Sequence, residues 1–329
     1  MSYRLLLILL AVLVALLFGA SLLIGPAALG LGESISALVS GRGEAAVLVM
    51  REIRLPRALL GVMLGASLGL SGAAMQGYLR NPLAEPGLIG VSSSAALGAV
   101  IALQTGLAAA FVLALPLMAL GGAVLSVLVL LMLAGPRGSS LTLILAGIAV
   151  SAFAGAMTSL VLNLSPNPYA AAEIVFWMLG SLSDRSFTHV WLALPFMAVG
   201  AVLLATLGRG LDALTLGEDA AQALGIRLTR LRLVLVAGVA ASVGSGVAVA
   251  GAVGFVGLVV PHLLRPLVGA RPGRLLAASA LGGAAMVQAA DIAVRLIAPD
   301  RDLKLGVLTA LVGAPLFLHL IYKTRRQGL

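Results

Sequence analysis

About ten apolar segments follow one another along the whole chain, and most are long enough to cross a lipid bilayer as a helix. Hydrophobic residues make up 61% of the sequence and charged residues only 10%, which leaves too little polar surface for a soluble protein. Because a backbone inside lipid must satisfy its own hydrogen bonds, such runs predict helices. We therefore predict an all-α, polytopic membrane protein with about ten transmembrane helices. The segments are 5–24, 56–78, 91–107, 111–134, 141–162, 191–207, 231–250, 252–268, 275–297 and 306–322.

The formal charge of +9 is distributed unevenly between the two sides of this predicted bundle. If the N-terminus lies in the cytoplasm, the cytoplasmic loops and tails hold thirteen basic and four acidic residues, whereas the opposite side holds eight of each. An excess of Lys and Arg on the cytoplasmic side is typical of membrane proteins. The charge therefore predicts that both termini are cytoplasmic, and it does not indicate a nucleic-acid partner.

The first apolar segment has two interpretations. A short basic start followed by an apolar run is also typical of a cleaved secretory signal. This run continues through Ile24, which is longer than the apolar core of most signals, and its removal would leave nine segments. We therefore predict that the first helix is retained.

The residues that the sequence lacks exclude several kinds of chemistry. There is no cysteine, which excludes disulfides, thiolate metal sites and iron–sulfur ligation. His189, His262 and His319 are too scattered to predict a metal site, so any iron handled by the chain would be carried inside a chelate. No GxxxxGK[ST] phosphate loop is present, and no catalytic arrangement lies at plausible spacing. We predict no cofactor and no enzymatic activity of the chain itself.

Glycine is frequent, with 40 residues, and it recurs at four-residue spacing inside the predicted spans. Gly61, Gly65 and Gly69 share one face of the second segment. Helices in lipid gain little from hydrophobic association, so close backbone contact between small residues must hold them together. This spacing predicts a tightly packed helical bundle.

Three separated stretches carry a specific resemblance to a known family. They are RLPRALLGVMLGASLGLSGAAMQGYLRNPLAEPGLIG at 54–90, LGEDAAQALGI at 216–226 and GFVGLVVPHLLRPL at 254–267. Together they resemble the FecCD family, the membrane permeases of binding-protein-dependent importers for iron-siderophores, vitamin B12 and heme. The stretches lie far apart and in the family's order, so the resemblance covers essentially the whole chain. It is specific for the family and does not identify the cargo.

The resemblance implies one transmembrane permease domain over residues 1–329, with a cytoplasmic coupling loop at about 209–232. It implies the permease subunit of a type II ABC importer in the bacterial inner (plasma) membrane, working as a homodimer. The expected protein partners are two separate ATP-binding-cassette ATPase subunits, which hydrolyse ATP, and a periplasmic substrate-binding protein. Membrane lipid surrounds the chain. A ferric siderophore is the expected cargo because it is common in the family, with vitamin B12 and heme as alternatives.

Several arginines at the outer side match family positions. In the family, arginines that match Arg54, Arg57 and Arg295 receive acidic residues of the binding protein, and a guanidinium group suits that task because it pairs bidentately with carboxylates. The alternative is that Arg54 and Arg57 only anchor a helix end at the lipid headgroups. Asp291 precedes Arg295 by four residues on one helical face, which favours a local ion pair.

Two further sets of family positions face the cytoplasm. The coupling loop is expected to form two short helices, with Asp212 or Thr215 able to cap them and Gly225 able to end the second. The residues expected at the contact with the ATPase are Gly217, Glu218, Ala221, Leu224 and Gly225. The residues expected at the cytoplasmic gate are Asn81, Leu83, Ser139 and Ser140.

The pathway for the cargo is expected to be wide and weakly binding. Side chains that could line it are Met75, Gln76, Tyr169, Trp177 and Gln288. His262 lies in a family motif, although a histidine bonded to a carbonyl is favoured over a cargo ligand. Where the family commonly has Leu-Pro-Ile-Gly before the last span, this chain has LKLG at 303–306, so Lys304 stands in place of the proline.

A transporter of another class is the main alternative. An ion-coupled secondary transporter needs a relay of buried acids near the middle of the membrane, and only Asp291 is a serious candidate. A membrane enzyme is less favoured still, because no nucleophile or metal arrangement is present. The sequence therefore predicts an ABC importer permease.

Overall fold

The computed structural model describes residues 2–27, 29–41, 43–111, 113–135, 140–165, 168–298 and 303–326. These residues form helices joined by short loops and contain no strand, which confirms the predicted all-α class. The helices are α1 (Tyr3–Leu23), α2 (Leu31–Val39), α3 (Glu44–Val47), α4 (Leu55–Leu79), α5 (Val91–Gln104), α6 (Leu107–Ala110), α7 (Ala114–Ala134), α8 (Ser140–Asn163), α9 (Pro168–Met178), α10 (Phe187–Ala205), α11 (Gly208–Leu214), α12 (Glu218–Ala223), α13 (Leu228–Val239), α14 (Ser245–Ala250), α15 (Val256–Leu264), α16 (Pro272–Ile297) and α17 (Leu305–Arg326). Wider π-helical turns at Leu48–Arg54 and Ala240–Gly244 join α3 to α4 and α13 to α14, and 3-10 turns lie at Pro86–Ile89 and Arg265–Val268.

The described helices reproduce the predicted spans. Seven helical segments are long and apolar enough to cross a membrane, namely Tyr3–Leu23, Glu44–Leu79, Ala114–Ala134, Ser140–Asn163, Phe187–Ala205, Leu228–Ala250 and Pro272–Ile297. Three shorter apolar helices are Val91–Gln104, Val256–Val268 and Leu305–His319. Each of the ten falls on one predicted segment. The break between the seventh and eighth is at Gly251, whose φ of +73° ends α14.

The spans divide into inner and outer helices. In the most apolar window of the segments that contain α4 and α13–α14, 78% of residues are buried, and 67% are buried in α16. The corresponding shares are 11% in α1 and 28% in α8 and α10. These outer helices expose large apolar side chains such as Leu16, Phe153 and Val202. The exposed apolar surface is the part of the bundle that suits lipid or a second membrane subunit.

Glycine contacts hold the inner helices together, as the four-residue spacing predicts. A Cβ atom placed on Gly65 of α4 would overlap the carbonyl oxygen of Gly283 on α16. One on Gly72 would overlap the carbonyl oxygen of Gly257, near the start of α15. Backbones this close leave no space for a side chain, so α4 packs directly against α15 and α16.

The loop after α4 folds back among the helices and ties two of the motif stretches together. It begins at Arg80, which has a left-handed conformation with φ +50°. The carboxylate of Glu85 then accepts a hydrogen bond of 2.9 Å from the backbone N–H of Phe255, the residue that precedes α15. A Cβ on Gly257 would lie 2.8 Å from the ring of Pro86. The polar loop of the first stretch therefore fixes the beginning of the third.

Candidate functional site

A buried ion-pair cluster joins α4 to α16 at the end of the bundle that is predicted to face outward. Asp291 accepts hydrogen bonds from Arg57, with Nε–Oδ1 at 3.0 Å, Nε–Oδ2 at 3.1 Å and Nη2–Oδ1 at 2.8 Å. Its Oδ2 also lies 2.8 Å from Nη2 of Arg295. The Asp291 side chain is only 1% exposed, so the two cations compensate a carboxylate that is removed from water. The predicted local ion pair of Asp291 and Arg295 is confirmed as part of this larger cluster.

Arg54 and Arg295 also hold the last turn of α1. The Nη1 group of Arg54 donates to the carbonyl oxygens of Leu22 and Leu23, both at 2.9 Å. The Nη1 group of Arg295 donates to the carbonyl oxygen of Ile24 at 2.6 Å. The final carbonyl groups of a helix have no partner within that helix, and cations are favourable beside them. Both arginines therefore act as caps of α1.

The capping of α1 by Arg54 and Arg295 is a role that the sequence analysis did not predict for these two arginines. Arg54 is 4% exposed, and the side chain of Arg295 is 6% exposed. Both side chains are bound to the end of α1, and the proposed docking role of these arginines remains a prediction. Arg57 is the most accessible of the three, with a side-chain exposure of 15%. No motif could reveal the capping contacts, since they join residues far apart in the sequence.

A cleft of about 440 Å³ opens beside the cluster, and all three arginines line it. The structure thus brings together the residues that the resemblance assigns to docking. Asp184, an exposed residue in the loop before α10, also lines the cleft and adds an acid that the sequence analysis missed. Its φ of +57° is a left-handed conformation that Asp and Asn tolerate.

The loop that is predicted to be cytoplasmic forms the two short helices expected of it, but their ends differ from the prediction. The helix α12 begins after Gly217, which has φ +104°. Thr215 instead ends α11, where its hydroxyl donates to the carbonyl oxygen of Asp212 at 2.7 Å. The Asp212 carboxylate accepts from the backbone N–H of Gly273 at 2.7 Å, so it ties the loop to the start of α16. Gly225, with φ +84°, follows the end of α12 as predicted.

Two leucine side chains are exposed to solvent on this loop. Leu224 is 64% exposed and Leu216, which the sequence analysis missed, is 68% exposed. Glu218 lies 3.8 Å from Arg80, and both side chains are about half exposed. Ala221 is fully buried, so its methyl group packs inside the loop and does not reach the surface expected to contact an ATPase. The expected contact role of Ala221 is therefore corrected to a supporting one.

Of the expected gate residues, Asn81 and Leu83 lie in the loop after α4 and Ser140 begins α8, on the side that is predicted to be cytoplasmic. Asn81 Oδ1 accepts a hydrogen bond of 2.9 Å from the backbone N–H of Leu83, which gives the loop a local turn. Ser140 is the first residue of α8 and hydrogen-bonds with the phenol of Tyr78 at the end of α4. Ser139 lies outside the described residues. The contact of Ser140 with Tyr78 brings the start of α8 close to the Asn81 loop.

Most of the expected pathway residues are buried within the protomer. Met75, Gln76 and Gln288 are each 0% exposed. The amide of Gln76 donates to the carbonyl oxygen of Leu258 at 3.2 Å and accepts from Arg265 at 2.7 Å. In this structure these three side chains therefore lie inside the protomer and not on its surface. The side chain of Tyr169 lies outside the described part of the chain.

Trp177 lines a cavity of about 400 Å³ at the end of the bundle that is predicted to face outward, with both polar and apolar residues in its walls. Arg185, His189 and Lys304 line it as well, and Lys304 lies 5.9 Å from the ring centroid of Phe176. Burial lowers the pKa of the Arg185 guanidinium, and the neighbouring Asp184 opposes part of that shift. Lys304, the departure from the family pattern, is thus one of the cations of this cavity. Among the residues that the structure describes, no group of three or more His, Asp or Glu could hold a metal ion.

Known proteins share both the sequence and the fold. Residues 10–323 match the FecCD transport family. The chain belongs to the FecCD transport family. The match contains all three motif stretches, so the resemblance on which the site residues rest extends across the structure.

Individual relatives of this FecCD chain agree with the family match. The chain is 40% identical to the vitamin B12 import system permease protein BtuC of Escherichia coli, over 87% of this chain and 86% of that protein. It is 38% identical to the Fe(3+) dicitrate transport system permease protein FecD of Escherichia coli, over 84% of this chain and 86% of that protein. A solved structure described as an inward-facing conformation of a putative metal-chelate type ABC transporter superposes with a TM-score of 0.85 at 32% identity, covering 98% of this chain and all of that one.

As a FecCD protein, the chain is the permease of an ABC importer and a multi-pass protein of the inner membrane. Its task is transport rather than catalysis. The ion-coupled secondary transporter and the membrane enzyme are therefore set aside. The pairing of Asp291 with two arginines agrees, because it leaves this acid engaged in structure.

Proposed function

We propose that two copies of this FecCD permease, each one transmembrane domain, enclose a central pathway for a ferric chelate. Two separate ATPase subunits would drive transport from the cytoplasmic side, and a periplasmic binding protein would deliver the cargo. The observation that carries the cargo class is the superposition on a metal-chelate type transporter along nearly the whole chain. A ferric siderophore is our first choice, and the likeness to BtuC keeps vitamin B12 as the second.

We propose that the ATPase contacts the cytoplasmic loop through Leu216 and Leu224. Their exposure on two short helices is what a cleft in a partner subunit could bury. Gly217 and Gly225 allow the tight turns on either side of α12, while Glu218 adds a charge that sets the register. The fixed position of the loop against α16, through Asp212, would pass movement of an ATPase to the inner helices.

The proposed site for the binding protein is the outer cleft beside Arg57. We expect Asp184→Asn to raise the association rate of the binding protein about two- to fivefold at low ionic strength, because an acid that repels acidic residues is removed. Asparagine tolerates the left-handed backbone at this position. The effect should shrink as salt is added. Surface plasmon resonance of the permease in nanodiscs measures the association rate and its dependence on salt.

The control for this experiment is Glu33→Gln, which removes an exposed acid from α2. It should leave the association rate unchanged. Slower association of Asp184→Asn would mean that the partner presents basic residues at the cleft, and the docking proposal would then be abandoned.

A gene deletion tests the cargo. Uptake is measured with radiolabelled ferric siderophore, ferric dicitrate, vitamin B12, heme and a free iron salt, before and after the gene is restored. We expect uptake of one ferric chelate to fall to background and to recover with the gene. Loss of vitamin B12 uptake alone would select the second choice. Loss of free-iron uptake with every chelate still imported would overturn the chelate proposal.

A further inference from the structure

Three arginines meet at a cleft on the cytoplasmic side that the transport proposal does not use. Arg209, from α11, lines one wall of the cleft, and Arg227 and Arg230, from the start of α13, line the other. The cleft has a volume of about 320 Å³, and all three side chains are exposed. Among the residues that the structure describes, these three guanidinium groups make no hydrogen bond or ion pair. Their charges are available to a ligand.

The other walls of the cleft are apolar. Leu207, Ile226, Leu231 and Val234 line it below the arginines. Leu207 and Leu231 belong to the buried core of the protein, so these apolar walls are held in place by core packing. A ligand that fits must therefore be anionic at one end and apolar at the other.

The position of the cleft is at the boundary of the membrane. It lies between the end of the span Phe187–Ala205 and the beginning of the span Leu228–Ala250. These two span ends lie at the same surface of the membrane. Below it, Val199 and Val202 of α10 and Leu233 of α13 are exposed and apolar. This surface continues from the cleft towards the interior of the bilayer, where acyl chains lie.

The described acids of the neighbouring loop neither line the cleft nor form an ion pair with its arginines. Asp212 accepts a hydrogen bond from Gly273, and Glu218 pairs with Arg80. Asp219 lies in the first turn of α12 and does not line the cleft. The cleft therefore keeps three positive charges close to the loop proposed to contact the ATPase.

We propose that this cleft binds the headgroup of an anionic phospholipid of the cytoplasmic leaflet. The lipid phosphate would accept charge-assisted hydrogen bonds from the three arginines, which suit phosphate oxygens well. Its acyl chains would lie along the exposed apolar face of α10. Basic pockets between helices on this side of a membrane favour such lipids. Bound there, the lipid would fix the distance between α11 and α13, the two helices that flank the coupling loop.

Lipid retention tests the proposal directly. The full-length permease is placed in phosphatidylcholine nanodiscs that contain a minor fraction of phosphatidylglycerol, and retained lipids are counted by native mass spectrometry. We expect wild type to retain phosphatidylglycerol in preference, and a triple variant with Arg209→Gln, Arg227→Gln and Arg230→Gln to lose that preference by about tenfold. No preference in the wild type would refute the proposal.

The matched control removes the same charge from the same side of the membrane. Arg4, Arg271 and Arg274 are exposed and lie outside the cleft, and their triple change to Gln should leave retention intact. Equal loss in both triple variants would mean a general attraction to the basic face, which would overturn a specific site. The melting temperature of each variant establishes that it is folded.

A second measurement needs no variant. Phenylglyoxal modifies accessible arginines, and peptide mass spectrometry locates the modified positions. Phosphatidylglycerol vesicles should protect Arg209, Arg227 and Arg230 relative to Arg271, whereas inorganic phosphate at millimolar concentration and phosphatidylcholine vesicles should not. Protection by inorganic phosphate alone would mean that the cleft binds free phosphate and not a lipid, which would overturn the lipid proposal. Protection by the ATPase subunit but not by the lipid would assign the cleft to the protein partner and overturn the lipid proposal.

Discussion

Replacing Asp291 with asparagine is expected to destabilise the permease by about 3–5 kcal/mol, since it leaves Arg57 and Arg295 buried without a counter-charge. The carboxylate pairs with both guanidinium groups at 2.8 Å and is nearly inaccessible to water. For a chain of this size the melting temperature should fall by roughly 10 °C. Thermal unfolding of the purified permease in detergent measures the fall.

The control is Asp184→Asn, the same substitution at an exposed position beside the same cleft. It should change the free energy of unfolding by less than about 0.5 kcal/mol. Adding Arg57→Gln to the Asp291 variant should cost little more, because the pair is already broken. An Asp291→Asn protein as stable as the wild type would show that the ion pairs do not hold α4 and α16 together.

Leu224→Asp is expected to weaken the proposed contact with the ATPase and thereby to reduce ATP-driven transport. Burial of a leucine side chain stabilises a contact by about 1.5–3 kcal/mol, and a buried, unpaired carboxylate in its place adds a desolvation cost. A loss of 2 kcal/mol would already weaken the permease–ATPase complex about 30-fold. Proteoliposomes with the ATPase and the binding protein report both cargo uptake and ATP hydrolysis stimulated by the loaded binding protein, and both should fall.

The matched control is Leu267→Asp, which changes a similarly exposed leucine in the turn after α15, away from the loop. It should leave ATPase binding intact. Because Ala221 is buried, a bulky substitution there would disturb the loop itself and could not separate contact from folding. Normal coupling in Leu224→Asp would remove this surface from the ATPase contact.

Sequence motifs predict some contacts of the buried ion-pair cluster between α4 and α16 and not others. The motifs bring Arg54, Arg57 and Arg295 to attention, and the structure places all three around one cleft. The pairing of Arg295 with Asp291 was predictable because residues four apart share a helix face. The pairing of Arg57 with Asp291 was not, since the two are 234 residues apart. The capping of α1 by Arg54 was equally hidden, because a helix end offers its carbonyl groups to whichever cation the fold brings near.

The sequence by itself determined the ten spans, the family and the turn at Gly225. Hydropathy, segment length and the conformational freedom of glycine are local properties, so they need no knowledge of neighbours. Only the tertiary structure decided which side of each span is buried. In a membrane the protein-facing and lipid-facing sides are both apolar, so nothing in the pattern around Gln76 and Gln288 distinguished an interior position from a pathway surface. Backbone contacts such as Gly72 with Gly257 settled that choice, because they pack α4 against α15 and α16 and enclose the side chains between them.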